Sequence, residues 1–307
     1  MRIASIDIGT NTFRILVSEP EDGRLKRVYI DRVITRLGGG FKDGERLISP
    51  DAMERAITVL RGFARVLKRY GVERLRAVAT GVVRESLNGS EFIKRVKSET
   101  GIEVESISGE EEARLTVKGV LRSLSLDSGS FMVFDIGGGS TEYAYVKEGD
   151  ILGLTSTGLG VVYLSERFLN DDMPSESNIG ILSRFIEDVL SRELSWMSRF
   201  REDDFSLVGT AGTPTTLAAM ELGLDSYDPD LVNGFILRRD AVLRIFNTLV
   251  DIPKEKRLEM NGLEKGREDV IIPGSLILIK TMEAFSKDRV FVSDGGLLEG
   301  IIYSIVP

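Results

Sequence analysis

A strand-turn-strand pattern whose first strand ends at an aspartate occurs twice in the chain, and this duplication limits the fold more than any other feature of the sequence. In the first copy a short apolar strand ends at Asp7, and two further strands complete a meander. In the second copy the strand ends at Asp135 and the turn is glycine-rich. Helices and strands alternate after each copy, so we expect an α/β fold of two similar lobes with a cleft between them.

The helical pattern is denser in the second half of the chain. For 307 residues, about 150 residues per domain predicts two domains. We expect an N-terminal lobe over residues 1–124 and a C-terminal lobe with extra helices over residues 125–307. The last helix, at about 296–307, is expected either to stay with the second lobe or to pack back on the first.

Two residue types are missing from the composition, which contains Cys 0 and His 0. Their absence excludes disulfides, thiolate nucleophiles, zinc-thiolate sites, histidine bases and histidine-ligated metals. Chemistry in this chain must therefore use carboxylates, hydroxyls, backbone amides, Lys or Arg. A bound metal should be a hard cation such as Mg²⁺ with oxygen ligands.

The formal net charge is -8, whereas nucleic-acid and membrane-surface binders usually carry a basic field. We therefore expect neither a nucleic-acid nor a membrane partner. Asp7 comes too early for the apolar core of a signal peptide, and no apolar run approaches the roughly 20 residues of a membrane span. The expected location is the cytoplasm, and both a monomer and a homodimer stay open.

Three glycine-containing turns are suited to phosphate binding. Glycine permits positive φ angles and lets backbone N–H groups approach an anion closely. The turns follow Asp7 and Asp135, and the third, from Gly209 to Gly212, lies at a strand-to-helix junction. Neither P-loop nor dinucleotide-binding spacing is present. Because Asp7 and Asp135 would repel phosphate, the pattern predicts a divalent cation there.

An acidic run, Glu110 to Glu112, begins a predicted helix. Carboxylates in a first helical turn complement the helix dipole, which is enough to explain such a run. Without histidine, however, a glutamate is also the natural group to take a proton from water. Asp294, after the last predicted strand, is expected to cap its turn and the following helix.

Five segments together resemble the exopolyphosphatase/guanosine pentaphosphate phosphohydrolase (Ppx/GppA) family. They are Asp7-Ile-Gly-Thr-Asn-Thr-Phe-Arg14, Ala79-Thr-Gly-Val-Val-Arg84, Ile107-Ser-Gly-Glu-Glu-Glu-Ala-Arg-Leu115, Asp135-Ile-Gly-Gly-Gly-Ser-Thr-Glu142 and Gly209-Thr-Ala-Gly-Thr213. The order of the five is specific, and the resemblance extends over essentially the whole chain. Longer members carry a C-terminal helical extension, so this chain is similar to the short two-domain form.

The resemblance implies two ribonuclease-H-like lobes of the sugar kinase/actin/heat-shock-chaperone ATPase superfamily. It also implies Mg²⁺-dependent (or Mn²⁺-dependent) release of terminal orthophosphate from inorganic polyphosphate, from guanosine pentaphosphate, or from both. By motif, Glu112 matches the base that activates water, and Arg84 matches an arginine that contacts phosphate. Asp135 and Glu142 match acidic residues that organise the metal and the attacking water, and we add Asp7 as a metal ligand. The expected phosphate-binding residues are Asn11, Thr12, Arg14, Gly137, Gly138, Gly139, Ser140, Gly209 and Gly212.

Other functions stay open at this point. A kinase of the same superfamily would need an acceptor, and a non-catalytic alarmone or nucleotide sensor, or an actin-like assembly protein, would release no phosphate. A net-acidic protein that binds polyphosphate also needs a local basic track. Its candidate members are Arg14, Lys94, Arg95, Lys97, Lys254, Lys256, Arg257, Lys265 and Arg267.

Overall fold

Strands and helices alternate along the chain. The computed structural model describes residues 1–21, 24–39, 46–126, 128–169, 171–200 and 203–306. The strands are β1 (Ile3–Ile8), β2 (Thr12–Glu21), β3 (Arg24–Ile34), β4 (Arg74–Ala79), β5 (Val104–Ser106), β6 (Ser130–Ile136), β7 (Thr141–Lys147), β8 (Asp150–Thr157), β9 (Ser206–Thr210), β10 (Ile236–Arg238) and β11 (Arg289–Val292).

The helices follow the strands in an α/β order. They are α1 (Pro50–Arg69), α2 (Gly81–Glu85), α3 (Gly89–Thr100), α4 (Gly109–Ser123), α5 (Val161–Phe168), α6 (Glu176–Glu193), α7 (Gly212–Glu221), α8 (Pro229–Val232), α9 (Arg239–Val250), α10 (Lys254–Arg257), α11 (Ile271–Ala284) and α12 (Leu297–Ile305), with a 3₁₀ helix at Ser195–Phe200. Each described helix is too short or too polar to span a lipid bilayer.

The chain divides into two compact units. Unit 1 comprises Met1–Arg122 and Gly296–Pro307, and unit 2 comprises Ser123–Gly295. The last helix, α12, therefore belongs to unit 1, where it packs on the sheet through Leu298 and Ile302. Pro307, the end of the last predicted helix, lies outside the described residues.

The two sheets share one strand order, which confirms the duplication expected from the sequence. The sheet of unit 1 has the order β3-β2-β1-β4-β5, and that of unit 2 has the order β8-β7-β6-β9-β11-β10. In both units three antiparallel strands are followed by two strands parallel to the first. Unit 2 adds β10 as an antiparallel edge strand, together with extra helices.

Local signals explain where α1 begins. Ser49 caps the helix by accepting a hydrogen bond from the backbone N–H of Ala52 at 3.2 Å. Pro50 occupies the first turn, where its missing N–H costs nothing. The start predicted at these two residues is confirmed, and the apolar face of α1, including Ile57 and Leu60, packs into the core of unit 1.

Other boundaries depend on contacts that the sequence does not reveal. Apolar periodicity predicts one helix over 175–200, but α6 ends at Glu193 and the chain continues as a 3₁₀ helix. There the indole of Trp196 covers Gly153 and donates to the Thr155 hydroxyl at 2.8 Å. The short elements α2, α8 and β10 lack a periodic signal, because three to five residues are too few to show one.

Candidate functional site

Backbone hydrogen bonds close the turn after β1 and connect it to the segment that follows β3. The Gly9 N–H donates to the Thr12 carbonyl at 3.2 Å, and a Cβ at Gly9 would lie 2.9 Å from that oxygen. The backbone N–H groups of Thr35 and Arg36 both donate to the Asn11 carbonyl at 2.9 Å. The backbone of the predicted phosphate-binding residues Asn11 and Thr12 is therefore rigidly placed.

Thr10 connects this turn to α2. Its hydroxyl accepts from the Val82 N–H at 3.2 Å, and its carbonyl accepts from the Gly38 N–H at 2.9 Å. Gly81 has a φ of 36° and lies against the Thr10 hydroxyl, where a Cβ would not fit. Since α2 carries Arg84, the first turn and this arginine are positioned by one set of contacts.

The three glutamates of the acidic run have different surroundings. Glu110 pairs with Arg114 at 2.8 Å and Glu111 pairs with Arg76 at 3.3 Å, both with well-exposed side chains. Glu112 is only 8% exposed and accepts a hydrogen bond from Arg84 at 3.1 Å. Complementing a helix dipole requires no burial, so that explanation accounts for the first two glutamates but leaves Glu112 unexplained.

Close glycine contacts hold the helix that carries Glu112. There is no room for a Cβ at Gly119 of α4, which lies against the main chain of Gly296. Gly300 of α12 similarly lies against the main chain of Leu115. Helices α4 and α12 thus approach at backbone distance, and this packing within about two turns of Glu112 sets the position of the helix that carries it.

A row of side chains crosses the strands of unit 1 at the level of Asp7. Cross-strand register places Arg14 opposite Asp7 and Arg32 opposite Arg14. We call these three residues the unit-1 row. Arg14 donates two hydrogen bonds to Asp7 Oδ2, at 2.9 Å from Nε and 2.7 Å from Nη2. Asp7 Oδ1 is buried and has no hydrogen-bond partner, which leaves a carboxylate oxygen suited to a cation or a water.

The turn after β6 repeats the geometry of the first. The Gly137 N–H donates to the Ser140 carbonyl at 2.9 Å, as Gly9 does to Thr12. The carbonyls of Gly137 and Gly138 accept from the first turn of α5, at 3.1 and 3.0 Å. The chain at Gly139 packs on Gly160, where a Cβ would not fit. This loop is therefore held on both sides while remaining rich in backbone N–H groups.

The equivalent row in unit 2 is acidic. Glu142 lies opposite Asp135, and Ser156 lies opposite Glu142. We call these three residues the unit-2 row. Asp135 and Glu142 are 7% and 3% exposed. The hydroxyls of Ser140 and Ser156 both donate to Glu142 Oε1, at 2.6 and 2.7 Å.

Tyr143, next to Glu142, is fully buried in the core of unit 2. Burial, with a smaller contribution from the Glu142 charge, raises the pKa of its phenol, so it stays protonated. Its hydroxyl and that of Thr281 lie 2.7 Å apart in the core.

The third turn combines packing with strain. Gly209 lies against the Phe134 ring, and this packing alone explains why the position is a glycine. Ala211 has a φ of 68°, unusual for a residue with a Cβ and typical of functional loops. Gly212 begins α7 and lies against the Arg267 guanidinium. Phosphate binding by Gly209 and Gly212 stays a prediction.

Asp294 has a structural role in its turn, but the prediction that it caps the following helix is wrong. The N-cap of α12 is Gly296, whose N–H donates to the Glu299 carboxylate at 2.9 Å. The Asp294 carboxylate accepts from the Tyr227 hydroxyl, and its backbone N–H donates to the Asn233 side chain at 3.1 Å. Both contacts lie within unit 2 and hold the turn after β11.

The residues present fit a magnesium ion held partly by substrate. No group of three acidic side chains clusters among the residues that the structure describes. Mg²⁺ is commonly bound by one or two carboxylates, with phosphate oxygens and water completing its six ligands. Asp135 and Glu142, opposite one another on neighbouring strands of unit 2, meet that need. In unit 1, Asp7 Oδ1 has no hydrogen-bond partner, and its role as a metal ligand stays a prediction.

Most candidates for a basic track are engaged elsewhere. Arg95 pairs with Glu54 and Glu99, and Lys97 pairs with Glu103 at 2.7 Å. Arg257 is a correction to the prediction. It is 2% exposed, and its guanidinium donates to backbone carbonyls at 2.9, 2.9 and 3.1 Å. It joins segments of unit 2 and cannot reach a polymer at the surface.

Sequence reasoning missed Ser156 and Arg32. Each belongs to the third strand of a meander, so its alignment with the aspartate depends on two successive strand registers. The register between the first and second strands could have been predicted, because the turn length alone pairs Asp7 with Arg14. The register between the second and third strands could not have been predicted, because the β2–β3 and β7–β8 pairs each contain a register shift.

Comparison with known proteins identifies relatives of the whole chain. The sequence profile of the Ppx/GppA phosphatase family matches residues 16–307. The chain is 33% identical over 312 residues to the bifunctional 3-dehydroquinate synthase/phosphatase of Fusobacterium nucleatum, covering 97% of this chain but 46% of that protein. It is 30% identical to exopolyphosphatase 2 of Mycobacterium tuberculosis, covering 99% of this chain and 98% of the relative. The crystal structure of an exopolyphosphatase from Cytophaga hutchinsonii superposes with a TM-score of 0.92 at 28% identity, covering 99% and 97% of the two chains.

Proposed function

The chain belongs to the Ppx/GppA phosphatase family, and we propose that it is an exopolyphosphatase that releases orthophosphate from the end of inorganic polyphosphate. Two relatives that match over nearly their full length, from Mycobacterium tuberculosis and Cytophaga hutchinsonii, are named exopolyphosphatases. One observation carries the hydrolytic assignment: the Glu112 carboxylate is buried and accepts a hydrogen bond from Arg84 Nη1 at 3.1 Å. This contact supports the proposal that Glu112 accepts a proton next to an arginine that contacts phosphate.

The proposed reaction is hydrolysis of a terminal phosphoanhydride, in which each predicted residue has a defined role. Backbone N–H groups of the turns after Asp7 and Asp135 are proposed to bind phosphate oxygens of the substrate, and Arg84 is proposed to share their charge. Glu112 accepts a proton from water as the water oxygen bonds to the terminal phosphorus. The bond from that phosphorus to the bridging oxygen breaks, releasing orthophosphate and a chain shorter by one phosphate.

A divalent cation completes the charge balance. Asp135 and Glu142 would hold it, with phosphate oxygens and water as its other ligands, and Asp7 stays a further candidate ligand. When bound, the ion would neutralise anhydride oxygens and the leaving group. Glu142 is kept in position by its serine hydroxyls, and Asp7 by Arg14. These residues would set the position of the ion.

Guanosine pentaphosphate is the second substrate we propose, for the same site. It carries a terminal phosphoanhydride, so the same water attack would convert it to guanosine tetraphosphate and orthophosphate. Family membership supports this activity more weakly than it supports polyphosphate hydrolysis, because the full-length relatives reported above are exopolyphosphatases.

Phosphate release tests the proposal. We expect the purified chain to release orthophosphate from polyphosphate with Mg²⁺, without an acceptor, and to lose this activity in EDTA. Parallel assays with guanosine pentaphosphate rank the two substrates by kcat/KM. Strict dependence on an acceptor would indicate a kinase, and tight binding of guanosine tetraphosphate without any release of phosphate would indicate a sensor.

A further inference from the structure

We propose that Ser156 is a positioning residue that holds the Glu142 carboxylate while the phosphate-binding turn is occupied. The inference rests on the proposed function, since it concerns a carboxylate of that site. Ser156 lies on β8, outside the glycine-rich turn and outside all five segments that resemble the family.

Strand pairing brings the two residues together. Glu142 on β7 and Ser156 on β8 are opposite one another in the antiparallel ladder, so their side chains project from the same face of the sheet. The Ser156 hydroxyl donates to Glu142 Oε1 at 2.7 Å. Glu142 is 3% exposed whereas Ser156 is exposed, so the serine covers the carboxylate from the solvent side.

The second donor on the same oxygen explains why Ser156 is needed. Ser140 also donates to Glu142 Oε1, at 2.6 Å, but it stands in the turn predicted to bind phosphate. A serine hydroxyl has one proton and can donate it to one acceptor at a time. When Ser140 donates to a phosphate oxygen, its bond to Glu142 is lost, and Ser156 keeps the carboxylate in place.

Because Ser156 is exposed, a loss of activity in a Ser156 variant can be distinguished from a loss of stability. Removing an exposed hydroxyl costs a folded protein little stability, because water replaces the lost partner. A buried serine in the same unit behaves in the opposite way. Ser165 on α5 is 7% exposed and donates to the Asp269 carbonyl at 2.8 Å, remote in sequence from the site residues.

The test compares Ser156→Ala, Ser156→Thr and Ser165→Ala in the full chain with polyphosphate. We expect Ser156→Ala to lower kcat about tenfold with less than a threefold change in KM, the size expected from losing one hydrogen bond to a charged group. Its melting temperature should stay within about 2 °C of wild type. Ser156→Thr keeps a hydroxyl and should restore kcat, whereas Ser165→Ala should lower the melting temperature and leave kcat unchanged.

Two results would overturn the inference: wild-type kcat in Ser156→Ala, or a loss of kcat that the threonine variant does not restore. Crystal structures of wild type and Ser156→Ala soaked with inorganic phosphate provide a readout independent of turnover. The Glu142 side chain should keep its rotamer in wild type and leave it in the variant. If wild type releases no phosphate from either substrate, the proposed function fails, and this rotamer comparison still decides the role of Ser156.

Discussion

The unit-1 row and the unit-2 row occupy equivalent places on equivalent strands but carry opposite charge. In unit 1 an aspartate faces Arg14, which in turn faces Arg32. In unit 2 an aspartate faces Glu142, which in turn faces Ser156. The backbone of the aspartate turn is the same in both, with a glycine N–H bonded to the carbonyl of the hydroxyl residue three positions later.

The difference shows that one duplicated backbone carries two rows of opposite charge. Arg14 neutralises Asp7 directly, so the unit-1 row is net basic and suits a phosphate chain. Like charges opposite one another on paired strands are destabilising, so the unit-2 row gives up some stability and suits a cation. We therefore assign anion recognition mainly to unit 1 and metal binding mainly to unit 2.

The largest expected effect concerns a residue outside both rows. Glu112→Gln should lower kcat by about 10²–10⁴-fold, since it removes the proton acceptor, and should leave KM for polyphosphate nearly unchanged. Steady-state assays with Glu110→Gln as the matched control measure this, because Glu110 is exposed in the same helical turn. Full turnover in Glu112→Gln would instead place the base in the unit-2 row.

The next largest expected effect is on the Mg²⁺ requirement of variants of Asp135 and Asp7. Asp135→Asn should raise the Mg²⁺ concentration for half-maximal activity on the order of 10–100-fold. Asp7→Asn should raise it less, because one of the two Asp7 oxygens is already bonded to Arg14. Mg²⁺ titration of activity and of thermal stability measures both variants. A larger effect in Asp7→Asn would reverse our assignment of the rows.

The smallest effects are on stability, and they have opposite signs. In EDTA, Arg14→Met should lower the free energy of unfolding by about 1–3 kcal/mol, because it leaves the buried Asp7 carboxylate without its partner. Glu142→Gln should raise it by up to about 1 kcal/mol, because it removes one of two opposed carboxylates. Urea unfolding monitored by circular dichroism gives both changes in the free energy of unfolding. If both changes had the same sign, the proposed difference in charge between the two rows would be refuted.

Much of the fold could be predicted, because hydrophobic periodicity and capping residues act over a few neighbouring positions. The two meanders, the helix from Ser49 and the duplicated strand order all follow from such local patterns. For the candidate site, the residue types were open to prediction but their partners were not. Arg257 and Lys97 are both basic residues in helices. Arg257, however, is buried among backbone carbonyls, whereas Lys97 forms an exposed ion pair.

The sequence by itself determined that the chain is a duplicated α/β protein without histidine or cysteine chemistry, because repeats and composition can be read one position at a time. Only the tertiary structure decided which glutamate of three is buried beside Arg84, and that Ser156 meets Glu142 across the strands. Burial and strand register arise from contacts between residues far apart in the chain, so they become visible only when those segments are packed together.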